Sequence, residues 1–315
     1  MSAWGEPSFR LSGAALCLLL ATFVLPPIPA RRPIYDVVVV LDITGSMNVR
    51  DQILDGAAAS RLEMAKRAVR HVLAALPCGS RLGVAVFVER RPFLLFEPVE
   101  SCGNFAPVDR EIQAIDWRMG WDGESHIAIG MLAAMRMANA QGADLVFMTD
   151  GQETPPLWWT GAPDFSAMHG ATHGLIVGVG GDALSPIPKF DSYGREIGTW
   201  KPGEMPAESG GMFRGHEHLS AVDDKHLRAL SQQSGLAYMR LSGPDALMPA
   251  LAGSVPRRTR ASSIDLRPVL AAVALLLLAA GAWLTGGAGL GSWFVRPASR
   301  QASGYRAPGR PTPAR

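Results

Sequence analysis

The run of residues 35–41 (YDVVVVL) constrains the fold more than any other part of the sequence. It is rich in β-branched residues and does not alternate between polar and apolar, which predicts a strand buried on both faces. Strands of that kind occur in parallel sheets that have helices packed on both sides. The sequence therefore predicts an α/β domain built on a mostly parallel sheet.

Further patterns alternate between helix and strand along the chain. Ser60 and Glu63 form a capping box that predicts the start of a helix. A short polar turn joins apolar runs at 82–88 and 93–96, so the second of these is expected to be an antiparallel edge strand. The alternation as a whole predicts a doubly wound sheet. The other predicted elements are helices at about 127–140 and 223–234 and strands at 145–149, 175–179 and 236–240.

Two apolar segments without charge lie at either end of this pattern. Residues 11–25 are short for a hydrocarbon core of about 30 Å, and prolines follow them, which predicts that residues 1–30 are a signal peptide cleaved near Ala30. An uncleaved signal anchor is the alternative. Residues 268–295 contain no Asp, Glu, Lys or Arg and predict a C-terminal transmembrane helix. Residues 252–267 would then be a juxtamembrane linker.

Charge is distributed unevenly between the predicted body and the tail. The chain has 30 Lys and Arg against 28 Asp and Glu, and five of the Arg lie in the Pro-rich and Arg-rich tail 296–315. The tail is expected to be disordered and cytoplasmic. Residues 31–267 carry 24 basic against 27 acidic residues, which argues against binding of nucleic acid. We expect a membrane-anchored protein with its body outside the cytoplasm and its tail inside.

Polar side chains at the predicted strand ends suggest a metal site. Asp42, Thr44 and Ser46 follow the first strand, Asp150 follows a later one, and Ser125 precedes the helix near 127. Carboxyl ends of parallel strands meet at one edge of a sheet. Two carboxylates and three hydroxyls are hard oxygen ligands, so Mg²⁺ is expected, with Ca²⁺ and Mn²⁺ as alternatives. If Asp42 and Ser46 only capped a helix, Asp150 and Ser125 would have no role.

This set of residues resembles the metal-ion-dependent adhesion site of von Willebrand factor A domains. The resemblance covers about residues 33–251 and rests on Asp42-x-Thr44-x-Ser46, Ser125 and the Asp150-Gly151 turn. Thr44 stands where the family more often has Ser, and Ser125 where it usually has Thr, so both departures keep a hydroxyl. In this family a water or a partner's carboxylate completes the metal coordination. The resemblance therefore implies a docking site for an Asp or Glu of a partner protein.

A narrower resemblance suggests which partner this is. The chain is similar to membrane-anchored bacterial proteins encoded beside MoxR-type ATPases, and among them to accessory proteins of methanol dehydrogenase gene clusters. That group is implicated in calcium insertion, which implies methanol dehydrogenase and sister accessory proteins as partners. The resemblance also implies a location in the bacterial inner membrane, with the body in the periplasm and the C-terminal tail in the cytoplasm. The alternatives are a general cell-envelope protein of the aerotolerance type that acts with a MoxR-type ATPase, and a site that itself delivers Ca²⁺. The similar stretches are DITGSMNV (42–49), CGSRLG (78–83), LLFEPVESC (94–102) and TDGQETPP (149–156).

Two long loops are expected to flank the metal edge, because both follow strand carboxyl ends. The loop 152–171 contains Trp158 and Trp159, and the loop 182–219 contains Trp200. Exposed tryptophans are frequent anchors of protein interfaces, so these three are candidate partner contacts. The alternative is that they pack within their own loops.

Cys78 and Cys102 are candidates for a disulfide, since both are expected at the sheet edge opposite the metal. A periplasmic location would permit the bond. Two free buried thiols are the alternative.

The sequence carries no common catalytic motif. It lacks a Gly-x-Ser-x-Gly elbow, a phosphate-binding loop and a His-Glu-x-x-His helix. His169 and His173 are four residues apart but lie in a loop, which disfavours a zinc site. We therefore expect a protein that is not an enzyme.

Overall fold

The computed structural model describes residues 7–26, 28–120, 124–157, 161–205 and 218–286. The chain divides into one unit of residues 1–30 and 263–315 and a second unit of residues 31–262. The α-helices are α1 (Pro7–Val24), α2 (Arg61–Ala75), α3 (Phe105–Ala114), α4 (Ile127–Ala140), α5 (Asp224–Ser234), α6 (Leu247–Ser254) and α7 (Arg267–Gly286). The strands are β1 (Ile28–Ile34), β2 (Asp36–Asp42), β3 (Gln52–Leu54), β4 (Ala57–Ala59), β5 (Arg81–Val88), β6 (Arg91–Glu100), β7 (Asp144–Thr149), β8 (Gly174–Gly178), β9 (Ser185–Pro186), β10 (Pro188–Phe190), β11 (Glu196–Thr199), β12 (Leu219–Ser220), β13 (Ala237–Arg240) and β14 (Arg258–Ile264).

The second unit is built on a six-stranded sheet with the order β13-β8-β7-β2-β5-β6. Neighbouring strands from β13 to β5 are parallel, and β6 runs antiparallel to β5 at the edge. This confirms the predicted α/β fold with a mostly parallel sheet. The carboxyl ends of β2 and β7 lie side by side as a result.

The position of β2 inside the sheet, between β7 and β5, explains the apolar run at residues 35–41. All seven of its residues are buried. Val37 and Val39 belong to an apolar cluster that includes side chains of α2 and α6, whereas Val38 and Val40 belong to a cluster that includes side chains of α4 and α5. Because successive side chains of a strand point to opposite faces, helices on both faces require apolar residues at every position.

Some elements differ from those predicted from sequence. The edge strand extends over β6 rather than over residues 93–96 alone, and α3 and the hairpins β3–β4 and β10–β11 had no predicted counterpart. Residues 252–267, interpreted as a linker, contain the end of α6 and the strand β14, which pairs with β1. The polar sequence of β14 lacks the apolar pattern that marks a strand, so only its pairing with β1 reveals it.

The first unit contains two long apolar helices, α1 and α7, and both have the length and composition needed to cross a membrane. The two helices lie side by side at Gly281 of α7. An alanine at this position would place its Cβ 3.7 Å from the Cβ of Leu11 and 3.7 Å from the carbonyl oxygen of Ser8, both in α1. A small residue at this position allows the two backbones to approach closely. The remainder of the predicted span 268–295 and the tail 296–315 lie outside the described residues.

Candidate metal site

Three loops place the predicted metal residues at one edge of the sheet. β2 ends at Asp42, and Thr44 and Ser46 follow it at the start of a short 3-10 helix. Asp150 follows β7, the parallel neighbour of β2. Ser125 lies two residues before α4 and forms a backbone bridge to Thr154 in the loop after β7.

The Asp42 carboxylate is fixed by hydrogen bonds to both of its oxygen atoms. Its Oδ1 accepts from the amide of Thr44 at 2.9 Å and from the Thr44 hydroxyl at 2.7 Å. Its Oδ2 accepts from the hydroxyl of Thr149 at 2.6 Å. The hydroxyl oxygens of Thr44 and Ser46 are 3.5 Å apart. The loops after β2 and β7 are thereby held around one carboxylate.

Asp42 and Asp150 place two carboxyl groups where solvent does not reach. Both residues are 0% exposed. Burial, and then the negative charge of Asp150, raise the pKa of Asp42 to about 7 despite the hydrogen bonds from Thr149 and Thr44. A divalent cation beside the pair would offset the repulsion between the two carboxylates.

Ser125 is held by its backbone while its hydroxyl is left without a partner. Its amide donates to the carbonyl oxygen of Thr154 at 2.7 Å, and its own carbonyl accepts from the Thr154 amide at 2.8 Å. The residue is 6% exposed, yet its Oγ has no hydrogen-bond partner among the described residues. Such a hydroxyl costs about 1–3 kcal/mol, which a bound cation would offset. Ser125 lines the same cavity as Thr44 and Ser46.

These residues fit a hard divalent cation. The hydroxyls of Thr44, Ser46 and Ser125 would hold the ion, with the carboxylates of Asp42 and Asp150 beside them. Oxygen donors of this kind are the ligands that Mg²⁺ and Ca²⁺ prefer. Within the described ranges, no group of three or more His, Cys, Asp or Glu side chains is arranged to hold a metal ion. The candidate ligands are therefore mainly hydroxyl groups rather than side chains of those four types.

Residues 37–152 match the family model described as the von Willebrand factor type A domain. The matched residues 37–152 therefore form part of a von Willebrand factor type A (VWA) domain. The matched range runs from β2 to the loop after β7 and includes all five predicted metal residues. Among curated proteins, none matches the sequence.

Several solved structures are similar to this VWA protein. An aerotolerance-related membrane protein from Bacteroides fragilis is 18% identical, over 70% of this chain and 97% of that chain, with a TM-score of 0.49. The conserved hypothetical protein BatB from Bacteroides thetaiotaomicron is 17% identical, over 69% of this chain and 94% of that chain, with a TM-score of 0.49. The PilB minor pilin from Streptococcus sanguinis is 11% identical, over 82% and 64% of the two chains, with a TM-score of 0.37. No ligand or partner is carried over from proteins this distant.

Arg61, the first residue of α2, is a buried cation beside the candidate metal site. Its position there was not predicted from the sequence. Its side chain is 0% exposed, and its Nη1 donates to Asp150 Oδ2 at 2.7 Å and to Ser220 Oγ at 2.5 Å. Its Nη2 and Nε donate to Asp51 Oδ2 at 2.6 and 3.0 Å. The guanidinium thus links Asp150 to two other loops. A charged residue just after a helix N-cap is usually on the surface, so no sequence signal marked it.

Glu153 is a second residue that the sequence did not single out. Its Oε1 accepts from the amide of Ala128 at 2.6 Å, in the first turn of α4, and lies 3.2 Å from Nε2 of His226. Amides at a helix start lack partners within the helix and favour a carboxylate there. Because Ser125 is three residues before Ala128, this contact helps to fix the position of Ser125.

A cavity of about 270 Å³ lies beside the hydroxyl groups of Thr44, Ser46 and Ser125 in the candidate metal site. Trp200, a predicted partner contact, lines this cavity, whereas Trp158 and Trp159 lie outside the described residues. Trp117, which had no predicted role, also lines it. The main apolar lining comes from Val88, Trp117, Ile187, Phe190, Trp200 and Met205.

Cys78 and Cys102 are joined by a disulfide bond, with their Cα atoms 5.3 Å apart. Cys78 precedes β5 and Cys102 follows the antiparallel β6, so the bond lies at the sheet edge opposite the candidate metal site. The third cysteine, Cys17 of α1, is free and exposed.

Proposed function

We propose that this VWA domain binds a divalent cation, with Mg²⁺ expected, and uses it to dock an acidic side chain of a partner protein. The observation that carries the proposal is the buried hydroxyl of Ser125, which lacks a hydrogen-bond partner among the described residues and shares a cavity with Thr44 and Ser46. Asp42 and Asp150 would supply negative charge next to the ion. A cation held mainly by neutral hydroxyls keeps positive charge that attracts a carboxylate.

Docking rather than catalysis is the role that the lining of the cavity supports. Among the described residues, its lining includes no His, Cys, Lys, Arg, Asp or Glu. A general acid or base must reach the reacting atoms within hydrogen-bond distance, and the cavity lining offers no such side chain. We therefore propose that the protein is not an enzyme.

The protein would carry out this docking at the bacterial inner membrane. α7 is long and apolar enough to span the membrane, and five Arg follow it in residues 296–315. Basic residues next to a membrane span favour the cytoplasmic side. The VWA domain would then lie in the periplasm.

For the partner we propose a periplasmic methanol dehydrogenase, with the protein acting during its maturation and calcium insertion. The support is the resemblance of residues 42–49, 78–83, 94–102 and 149–156 to accessory proteins of methanol dehydrogenase clusters. A deletion strain separates this role from general envelope maintenance. Loss of growth on methanol with normal oxygen tolerance supports the maturation role, and the reverse phenotype supports the aerotolerance-type role.

The cation-dependent docking is tested by retention of methanol dehydrogenase on the full chain in detergent, with Mg²⁺ or with EDTA. We expect retention with Mg²⁺, loss with EDTA, and loss in Asp42→Asn, which keeps the shape of the side chain but removes its charge. Asp55→Asn is the matched control, because Asp55 is exposed and has a positive φ of 51° that Asn also tolerates. Equal retention by Asp42→Asn and wild type would contradict the proposal.

A further inference from the structure

The cavity beside the candidate metal site has two chemically different parts. The polar part contains the hydroxyls of Thr44, Ser46 and Ser125 together with the uncharged side chains of Asn48, Gln152 and Thr154. The apolar part, called the apolar wall below, is formed mainly by Val88, Trp117, Ile187, Phe190, Trp200 and Met205. Trp117, Phe190 and Trp200 are each only partly buried. Exposed apolar surface next to polar groups is typical of a site that binds a ligand with both a polar and an apolar part.

Four residues of the apolar wall, Ile187, Phe190, Trp200 and Met205, belong to the segment 187–205, which packs against the loops that carry Val49 and Trp117. The ring of Phe190 in β10 lies 4.3 Å from the ring of Trp117, measured between centroids. The amide of Trp200 donates to the carbonyl of Ile187 at 3.0 Å. Val49, Ile187 and Met205 form a small buried cluster, and Trp200 packs against it.

Salt bridges add to this attachment at the outer surface of the same segment. Arg50, in the loop after β2, pairs with Glu196 of β11 at 2.6 Å. Lys189 pairs with Glu204 at 3.0 Å and lies 4.5 Å above the ring of Trp200. The wall is therefore connected both to the metal loop and within itself, as a preformed binding site requires.

A cation bound at the hydroxyls of Thr44, Ser46 and Ser125 would supply the positive charge of the cavity in its polar part. The described lining of the cavity contains no charged side chain, so an acidic group can be compensated only at the cation. The apolar wall would accept an uncharged side chain next to that group. A volume of about 270 Å³ is at the small end for a ligand pocket and suits one or two side chains.

We infer that the site binds a short partner segment in which an acidic side chain is adjacent to a bulky apolar one. The carboxylate binds at the cation, and the apolar side chain enters the part of the cavity that Trp117, Phe190 and Trp200 line. This inference rests on the proposed cation-dependent docking. It adds that the partner residue next to the acidic one is a bulky apolar residue. Burial of one large apolar side chain corresponds to about tenfold to hundredfold in affinity.

The test uses the full chain in detergent and blocked tetrapeptides as probes. Mn²⁺ affinity is measured first by electron paramagnetic resonance, and peptide affinity is then measured by calorimetry with saturating Mg²⁺. The peptides Gly-Asp-Phe-Gly and Gly-Phe-Asp-Gly are compared with Gly-Asp-Ala-Gly and Gly-Asn-Phe-Gly. We expect at least one of the two peptides that carry both Asp and Phe to bind ten times more tightly than either control peptide.

Variants of the chain locate the apolar half of the interaction. Phe190→Ala and Trp200→Ala should each remove the preference for Phe while leaving Mn²⁺ affinity unchanged. Tyr193→Ala is the matched control, because Tyr193 is an aromatic residue of the same segment, 78% exposed, that does not line the cavity. The peptide comparison on the wild-type chain does not depend on the folding of any variant.

The outcomes separate this inference from the proposed function. Bound Mn²⁺ with equal affinity for the Phe and Ala peptides, or with no peptide binding at millimolar concentration, overturns the inference and leaves cation binding intact. Absence of Mn²⁺ binding to the wild-type chain overturns both.

Discussion

At the scale of single residues, Arg61 is a buried cation whose removal would leave two carboxylates without their partner. Its guanidinium is fully buried and pairs with Asp150 at 2.7 Å and with Asp51 at 2.6 Å. Removing one partner of a buried ion pair leaves uncompensated charge and costs about 3–5 kcal/mol. We expect Arg61→Met to lower the free energy of unfolding by that amount, measured by chemical denaturation of the full chain in detergent.

A neighbouring arginine provides the control for this prediction. Arg67 lies on the same helix and pairs with Asp55 at 2.9 Å, with side chains 36% and 76% exposed. Surface pairs of this kind contribute between 0 and about 1 kcal/mol. Arg67→Met should therefore change stability little, and an equal loss in the two variants would contradict the role assigned to Arg61.

Substitution of Ser125 distinguishes a role in cation binding from a role in the stability of the fold. Because its hydroxyl is buried without a hydrogen-bond partner among the described residues, Ser125→Ala should raise the free energy of unfolding without metal, by up to about 1–3 kcal/mol. The same substitution removes a proposed cation ligand, so we expect Mn²⁺ affinity to fall at least tenfold. Electron paramagnetic resonance titration measures this directly.

Ser101 is the matched control for Ser125. Its hydroxyl is also buried and without a partner among the described residues, but it lies beside the disulfide at the opposite edge of the sheet. Ser101→Ala should leave Mn²⁺ affinity unchanged. If both alanine variants bind Mn²⁺ like the wild type, Ser125 is not a ligand.

At the scale of elements, the turn between β6 and α3 is organised by one carboxylate. Glu100 accepts from the amides of Gly79, Cys102 and Gly103 at 2.8, 3.1 and 2.6 Å. The bond from Gly79 first, and then those from Gly103 and Cys102, outweigh burial and hold the pKa of Glu100 below its usual value of 4.5. The ionised carboxylate thus stabilises the turn next to the disulfide.

This lowered pKa predicts how the stability of the turn depends on pH. A carboxyl group whose pKa falls on folding contributes its full stabilisation above its unfolded pKa of 4.5 and loses it as pH falls through the lower folded value. Glu100→Gln should therefore cost about 1 kcal/mol at pH 7, and the difference from wild type should vanish in acid. Denaturation between pH 7 and pH 3 measures it. Glu97→Gln, exposed on the same strand, should show no such trend.

The sheet, and the meeting of the five candidate metal residues at one of its edges, could be predicted because both depend on local patterns. Buried parallel strands appear in the sequence as apolar runs. The residues just after them lie at the same edge of the sheet for any conformation of the connecting loops. The buried position of Arg61 and the wall formed by Phe190 and Trp117 could not be predicted in this way. Both depend on contacts between segments far apart in the sequence, here Arg61 with Asp150 and Ser220.

At the scale of the whole molecule, the question is which segments remain in the mature protein. Ala30, near which cleavage was predicted, lies inside β1, and β1 pairs with β14. Cleavage there would remove the first part of that strand together with α1. α1 also lies against α7, where Ser8, Leu11 and Ser12 face Gly281. These contacts favour the alternative in which α1 is an uncleaved anchor.

We therefore expect the mature protein to retain α1, because its loss would expose Gly281 of α7 and leave part of β14 without its partner strand. Mass spectrometry of the purified membrane protein should detect peptides from residues 11–31. Ala30→Lys is the control, since a long charged side chain at this position blocks cleavage by signal peptidase. Wild type and Ala30→Lys should have the same length on a gel. A wild-type chain shorter than the variant by about thirty residues would show that α1 is a signal peptide.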